Sequence, residues 1–291
     1  MGTTGARWPG NNPNPEPGRE TQDPMDPLDP AVPGLLSAGR LEVTGRIVNA
    51  SNATLFCEIE ADGVRAKCVY KPVRGERPLW DFPDGTLADR EYASYLLAEA
   101  FAPDGCAIVP PTVLREGPFG SGMVQLWIDT DEERELVDVR APSDVPDGWL
   151  TVLRARDSLG EPAVLVHADH PELQRMAVLD VVLNNADRKA GHVLAGQDGR
   201  VYGVDHGICL HEEDKLRTVL WGWVGQKLPT ALRSEVRAVR RELDNGLCGQ
   251  LGDHLTRREL RALSERVDGL LSHPKFPEPS GYGPAIPWPA F

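Results

Sequence analysis

Apolar and polar positions alternate most clearly early in the chain. Leu41–Ala50 and Thr54–Ile59 flank the polar turn Ala50-Ser51-Asn52-Ala53, a pattern that predicts a β-hairpin, and Val64–Tyr70 predicts a third strand. The period then lengthens. Leu87–Phe101 predicts a helix with Asp89, Arg90 and Glu91 in its first turn and Tyr92, Tyr95, Leu96 and Ala100 as its apolar stripe. Ala107–Leu114 and Ser121–Ile128 return to the strand pattern. Beyond them helical patterns dominate: Pro171–Asn184, Thr230–Leu243, and Thr256–Leu271, which opens on the capping box Thr256-Arg257-Arg258-Glu259. A short strand pair, His192–Leu194 and Val201–Val204, turns at Gln197-Asp198-Gly199. The expected fold class is therefore α+β and bilobal, with a small β-rich lobe carrying one helix, a mainly helical lobe, and a cleft between them.

The two ends change the picture. Residues 1–36 hold eight of the 26 prolines, with acids interleaved at Asp23, Asp26 and Asp29, and read as an extended, disordered arm. Residues 274–291 hold six more prolines with Trp288 and Phe291, and read as a tail that docks on the body. The lobes are then 37–128 and 129–273. A net charge of −13 argues against nucleic-acid binding and against docking on an anionic membrane. No apolar run approaches the roughly 18 residues of a membrane span, the best one, Met176–Leu183, being interrupted by Asp180. The beginning of the chain lacks the apolar run of a secretory signal, and the five cysteines form neither a C-x-x-C pair nor an even framework. These features predict a cytoplasmic protein without integral membrane association.

Three clusters carry candidate chemistry. Lys71 ends the third strand before Pro72, which stops the strand where the amine leaves the sheet. Glu91 follows 20 residues later in the first turns of the next helix; a strand lysine and a helix glutamate of this kind can pair to hold nucleotide phosphates. The third cluster is Asn184-Asn185-Ala186-Asp187-Arg188-Lys189-Ala190-Gly191-His192, followed by Val204-Asp205-His206-Gly207. Two aspartates, Asp187 and Asp205, joined by a short hairpin converge on one spot, and such a pair suits one carboxylate accepting a proton and another holding Mg²⁺. Each residue alone reads more plainly as a surface charge or turn former; the ordered set does not.

With Tyr70-Lys71-Pro72, Arg90-Glu91, Asn185-Ala186-Asp187-Arg188 and Asp205-His206-Gly207 in this order, residues 40–210 resemble the phosphatidylinositol 3-/4-kinase-like and HipA-like atypical kinases. The resemblance is strongest to an actinobacterial branch of unassigned substrate. It implies a protein-kinase-like fold and ATP-dependent phosphoryl transfer with Mg²⁺, Mn²⁺ being the alternative ion. It also implies roles. Lys71 would meet the phosphates and pair with Glu91, and Ser51 and Asn52 would cover the phosphates in place of a glycine-rich loop. Backbone groups of Gln125, Leu126 and Trp127 would read adenine. Asp187 would orient or deprotonate the acceptor hydroxyl, Arg188 would steady that loop or offset phosphate charge, and Asp205 would hold the metal. Two positions depart from the family pattern: His192 stands where a metal-binding Asn is usual, and His206 where many kinases carry Phe.

The departure at His192 keeps a second expectation open, a nucleotide-binding pseudokinase whose ends recruit partners. AMP transfer is a third, because the same residues serve either orientation of the triphosphate. His167-Ala168-Asp169-His170 resembles a metallohydrolase fragment but reads better as the N-cap region of the helix at Pro171. Trp221 and Trp223 read as core packing or a cleft wall. The acids of His211-Glu212-Glu213-Asp214-Lys215, in the activation-segment position, disfavour an inositol-lipid acceptor and point to a protein or polar small-molecule hydroxyl.

Overall fold

The computed structural model describes residues 24–47, 52–102, 105–106 and 108–291. Its first half is a five-stranded antiparallel sheet in the order β1-β2-β3-β5-β4, built from Arg40–Arg46, Leu55–Ala61, Val64–Pro72, Gly120–Leu126 and Thr112–Gly117 for β1, β2, β3, β5 and β4 respectively. Two helices serve this sheet, α1 (Val32–Ala38) and α2 (Leu87–Phe101). Cys57, Ile59, Cys68, Tyr70, Val124 and Leu126 alternate onto one face and bury against Val32, Leu35 and Leu36 of α1. Full burial of side chains of this size contributes roughly 1.5–3 kcal/mol each.

Helix α1 corrects the reading of 1–36 as a disordered arm. Residues 1–23 lie outside the described residues, but the segment from Pro24 onward is ordered enough to cap the sheet, because Val32, Leu35 and Leu36 supply an apolar face that the prolines around them obscure. The fourth strand is also shifted: it begins at Thr112, after Pro110-Pro111, so that Ile108 and Val109 precede it, while Ala107 lies outside the described residues.

In the second half, α3 (Pro171–Leu183), α4 (Thr230–Glu242), the short α5 (Cys248–Leu251) and α6 (Arg257–Ser272) pack around a common apolar core. A three-stranded sheet precedes them in the order β6-β8-β7, from Val137–Arg140, Pro162–Ala168 and Trp149–Arg156. The sequence pattern did not announce it, since β7 is exposed along most of its length and so lacks a clean alternation. The hairpin β9 (Val193–Ala195) and β10 (Val201–Gly203) follows α3. Ile128, Leu194, Tyr202 and Val204 form a small apolar cluster where the connector after β5 meets this hairpin, and so pack the two halves together beside the cleft.

Two expectations about packing hold. His170 is the N-cap of α3, its Nδ1 accepting from the Glu172 N–H at 3.3 Å. Trp223 is core, stacked on His167 at 4.3 Å and on Phe276 at 5.7 Å. No described helix is long and apolar enough to cross a membrane.

Candidate functional site

Helix α2 starts where the sequence places it because its first amide groups are fully served. The Thr86 hydroxyl accepts from the Asp89 N–H, and the Glu76 carboxylate accepts from the Leu87 and Ala88 N–H groups, both at 2.9 Å. The face it buries differs from the expected stripe. Tyr92, Tyr95 and Leu96 are only half-buried, while Arg90, Glu91, Ser94, Leu97 and Phe101 point inward. Two charged residues on the buried face of a helix need partners. Arg90 finds Glu259 of α6 at 2.6 Å and the Cys209 carbonyl at 2.8 Å. Glu91 finds Lys71 at 2.5 Å through one oxygen and accepts the His206 N–H at 3.0 Å through the other.

Lys71 is the meeting point of the site. Its ammonium also donates to Asp205 Oδ1 at 2.8 Å, so residues from β3, α2 and the turn after β10 converge on one cation. Burial alone would lower the lysine's pKa, but Asp205 and Glu91 together raise it above the usual lysine range. Burial pushes the Asp205 carboxyl up, and Lys71 and His192 more than reverse this, holding it well below the usual carboxylate range. Glu91 is raised by burial against the opposing pull of Lys71. Asp205 adopts a left-handed backbone at φ +61°, a conformation aspartate tolerates better than most residues, and this aims its carboxylate back at β3.

Asp187 sits one turn beyond α3. That helix ends on Asn184 in the left-handed conformation, with its N–H returned to the carbonyls of Asp180 and Val181. The Asp187 carboxylate pairs with Lys189 at 3.1 Å, yet burial outweighs the ammonium and pushes its pKa up to about 6. His192 bridges the two aspartates. Its Nδ1 donates to the Asp187 carbonyl at 3.0 Å and its Nε2 lies 3.3 Å from Asp205 Oδ2; burial, opposed by Asp205, lowers its pKa to about 4. The sequence-predicted Lys71, Glu91, Asp187, His192 and Asp205 are therefore brought together.

Arg188 is placed otherwise. It is wholly buried and forks onto Asp180 of α3, donating also to the carbonyls of His192 and Val204 and to His206 Nε2. Asp180 in turn accepts from Asn185 and Thr218. Of the two roles expected for Arg188, steadying the loop fits and offsetting phosphate charge does not, because no solvent reaches its guanidinium. Gly203 belongs to the same arrangement: a Cβ there would stand 3.0 Å from the Arg188 guanidinium. Asp180 was visible in the sequence only as the acid that interrupts an apolar run. A carboxylate in the middle of a buried helix face was the available signal for a buried cation elsewhere.

The remaining expected residues divide. Gln125, Leu126 and Trp127 line a narrow cleft with Lys71, Leu194 and Asp205. The adenine-reading role expected of their backbone is corrected in part: the Leu126 N–H is bonded to Pro111 and the Trp127 N–H to Lys67, and the Gln125 side chain is buried against the Thr112 hydroxyl. Ser51 lies outside the described residues. Asn52 is described, and its side-chain oxygen accepts from the Arg77 N–H at 3.0 Å, tying the β1–β2 connection to the segment after β3.

The fold and site define an α+β chain whose β-rich and helical halves share one cluster of interlocked charges. The chain belongs to the family of Protein Rv2133c of Mycobacterium tuberculosis, with which it is 48% identical over 266 residues, 88% of this chain and 94% of that protein. It is also 44% identical over 153 residues to Phosphatidylinositol 4-kinase gamma 4 of Oryza sativa subsp. japonica; that match covers 47% of this chain and 22% of the kinase. No protein-family model matches the chain.

Proposed function

We propose that the chain is a protein-kinase-like, ATP-dependent phosphotransferase acting on a hydroxyl acceptor. The observation that carries the reading is the Lys71 ammonium held between Glu91 and Asp205 across the junction of the two halves. A cation so oriented is suited to nucleotide phosphates, and the partial similarity to a lipid kinase favours the same class. Five cysteines, none in a disulfide, fit work in the reducing cytoplasm.

The donor set fits Mg²⁺ or Mn²⁺ bound with the nucleotide. Asp205 would hold the ion and His192 stands beside it, and with no complete protein cage among the described residues the phosphate oxygens would supply the remaining ligands. The ion would supply charge neutralisation of the phosphates. The chain's own groups do the rest. Lys71 meets the phosphates, and the purine enters the cleft against Val69, Trp127, Leu194 and Val204, with the main chain at Ile128 as the base-reading edge. Asp187 takes the acceptor hydroxyl's proton as that oxygen bonds to the γ-phosphorus and the bond from phosphorus to the β–γ bridging oxygen breaks, releasing ADP. Arg188 fixes the loop in which Asp187 sits.

A second reading, a nucleotide-binding pseudokinase, is favoured by His192, whose ring fills the space beside Asp205 where the resembled kinases carry Asn. Transfer of AMP from the same nucleotide is the remaining variant. Thermal stability with ATP and Mg²⁺, Mn²⁺ or no metal, followed by transfer assays with α- and γ-labelled ATP, separates the three. Phosphotransfer requires a metal-dependent stabilisation that Asp205→Ala removes, together with γ-label transfer that Asp187→Ala abolishes. Stabilisation without transfer supports the pseudokinase, α-label transfer supports AMP transfer, and no stabilisation under any condition rejects a nucleotide site.

A further inference from the structure

The residues that follow α6 reach the other side of Asp187. From Lys275 the chain pairs with Lys227, and the Ala285 carbonyl accepts from the Thr218 N–H and the Trp221 indole. The Ala290 carbonyl then accepts from the Ala190 N–H, three residues past Asp187, while Ile286, Ala290 and Phe291 pack on the helical core. This segment therefore lies along the stretch 217–221 and ends against the Asp187 loop.

A cavity of about 300 Å³ remains between the segment and the stretch 213–217, at the low end of the size range for small-molecule sites. Lys215 and Arg217 line one wall, and Ser280, Tyr282 and Pro284 the other. Arg217 is fixed beside the catalytic loop through its backbone: its N–H bonds to the Asn185 carbonyl at 2.9 Å and its carbonyl accepts from the Arg188 N–H at 3.0 Å. Its charge is felt at the Asp187 carboxyl. Among the described residues the Arg217 guanidinium has no hydrogen-bond or ion-pair partner, in a chain with 44 acids to 31 basic residues. The neighbouring charges are already engaged. Lys215 faces Asp81 at 3.6 Å and Glu213 at 3.5 Å, and Asp214 accepts the Leu216 N–H. Glu213 is largely exposed at the rim. Glu213 and Asp214 also line the cavity, but neither reaches Arg217, and a guanidinium without a direct partner there matches one oxyanion.

Resting on the phosphotransferase reading, we propose that this cavity is the acceptor site and that the acceptor is a small hydroxyl compound carrying one carboxylate or phosphate monoester. The segment beside Asp187 narrows the approach to that residue and favours a small acceptor over an extended peptide.

The probes are glycerol 3-phosphate, glycerate and glycerol, titrated calorimetrically into the full chain with and without ATP and metal. Glycerol 3-phosphate or glycerate should bind at least about tenfold tighter than glycerol. Arg217→Gln should reduce that preference to none, and Arg217→Lys should keep part of it, while both variants retain the ATP-induced rise in melting temperature. The two charged probes show which oxyanion fits. Equal binding of charged and neutral probes, or a preference untouched by Arg217→Gln, overturns the proposal. So does γ-phosphate appearing on casein or on Ser280 or Tyr282 of the chain itself. If ATP produces no stabilisation while the oxyanions still bind through Arg217, the phosphotransferase reading fails and the oxyanion site stands.

Discussion

Arg90 of α2 and Glu259 of α6 meet at 2.6 Å with both side chains buried, and the next residue along α2 is Glu91, the partner of Lys71. The ion pair therefore does more than join two helices. It fixes the rotation and height of α2 relative to the helical half, and with them the position of Glu91 over Lys71. His254 against Asp89 at 2.7 Å adds a second tie on the same turn.

Removing one partner should leave a charge buried without compensation. Arg90→Met is expected to destabilise the chain by about 3–5 kcal/mol in urea unfolding, because Glu259 keeps a buried carboxylate that has lost its cation. Adding Glu259→Gln should recover part of that loss, since the neutral amide can still serve the Thr256 amide at the start of α6. The double variant should still bind ATP less tightly than the native chain, because α2 is no longer held at its inner face. A double variant less stable than Arg90→Met alone would show that the two charges are not coupled.

Asp187 predicts an inverse relation between stability and chemistry. Burial raises its pKa to about 6, so the folded state holds a proton that the unfolded state, with an ordinary aspartate near 3.8, has released. Between those values the native state binds more protons, and stability falls as pH rises through the window. Asp187→Asn should remove this slope and raise stability at pH 7 by about 1–3 kcal/mol while abolishing transfer. In the native chain, transfer should increase with pH and level off above about 6, as the carboxylate becomes free to accept a proton. Lys189→Met removes the neighbouring cation and should move that inflection upward. An inflection that stays put in Lys189→Met would assign it to another group.

The site was largely legible in the sequence because its residues lie at element ends. Lys71 precedes a proline, Asp187 follows an asparagine-terminated helix, and Asp205 precedes a glycine, so local chemistry marks each of them. What stayed hidden is non-local. Asp180, Asn185, Arg188, His206 and Thr218 form a buried polar network drawn from four segments, and nothing in the spacing of one segment reports a partner in another. The same holds for α2. Its buried face departs from the expected stripe because Arg90 and Glu91 count as polar in any pattern, whereas their partners on α6 and β3 make that face the inner one. The sheet of β6, β7 and β8 escaped for a different reason: with one side in solvent and a register shift between Thr151 and Leu153, β7 keeps no regular alternation.

His192 gives the most discriminating prediction. Its Nδ1 proton is committed to the Asp187 carbonyl, which leaves Nε2 as the acceptor facing Asp205 Oδ2 at 3.3 Å. Two acceptors facing each other favour a cation between them, and an imidazole nitrogen suits Mn²⁺ better than Mg²⁺, which prefers oxygen ligands throughout. The native chain should therefore show a larger ATP-induced rise in melting temperature with Mn²⁺ than with Mg²⁺. His192→Asn restores an oxygen donor and should reverse that order, and the electron paramagnetic resonance line of bound Mn²⁺ should lose its nitrogen coupling in the variant. If the native chain prefers Mg²⁺ and His192→Asn changes neither the order nor the spectrum, His192 is a structural bridge between the two aspartates and takes no part in holding the ion.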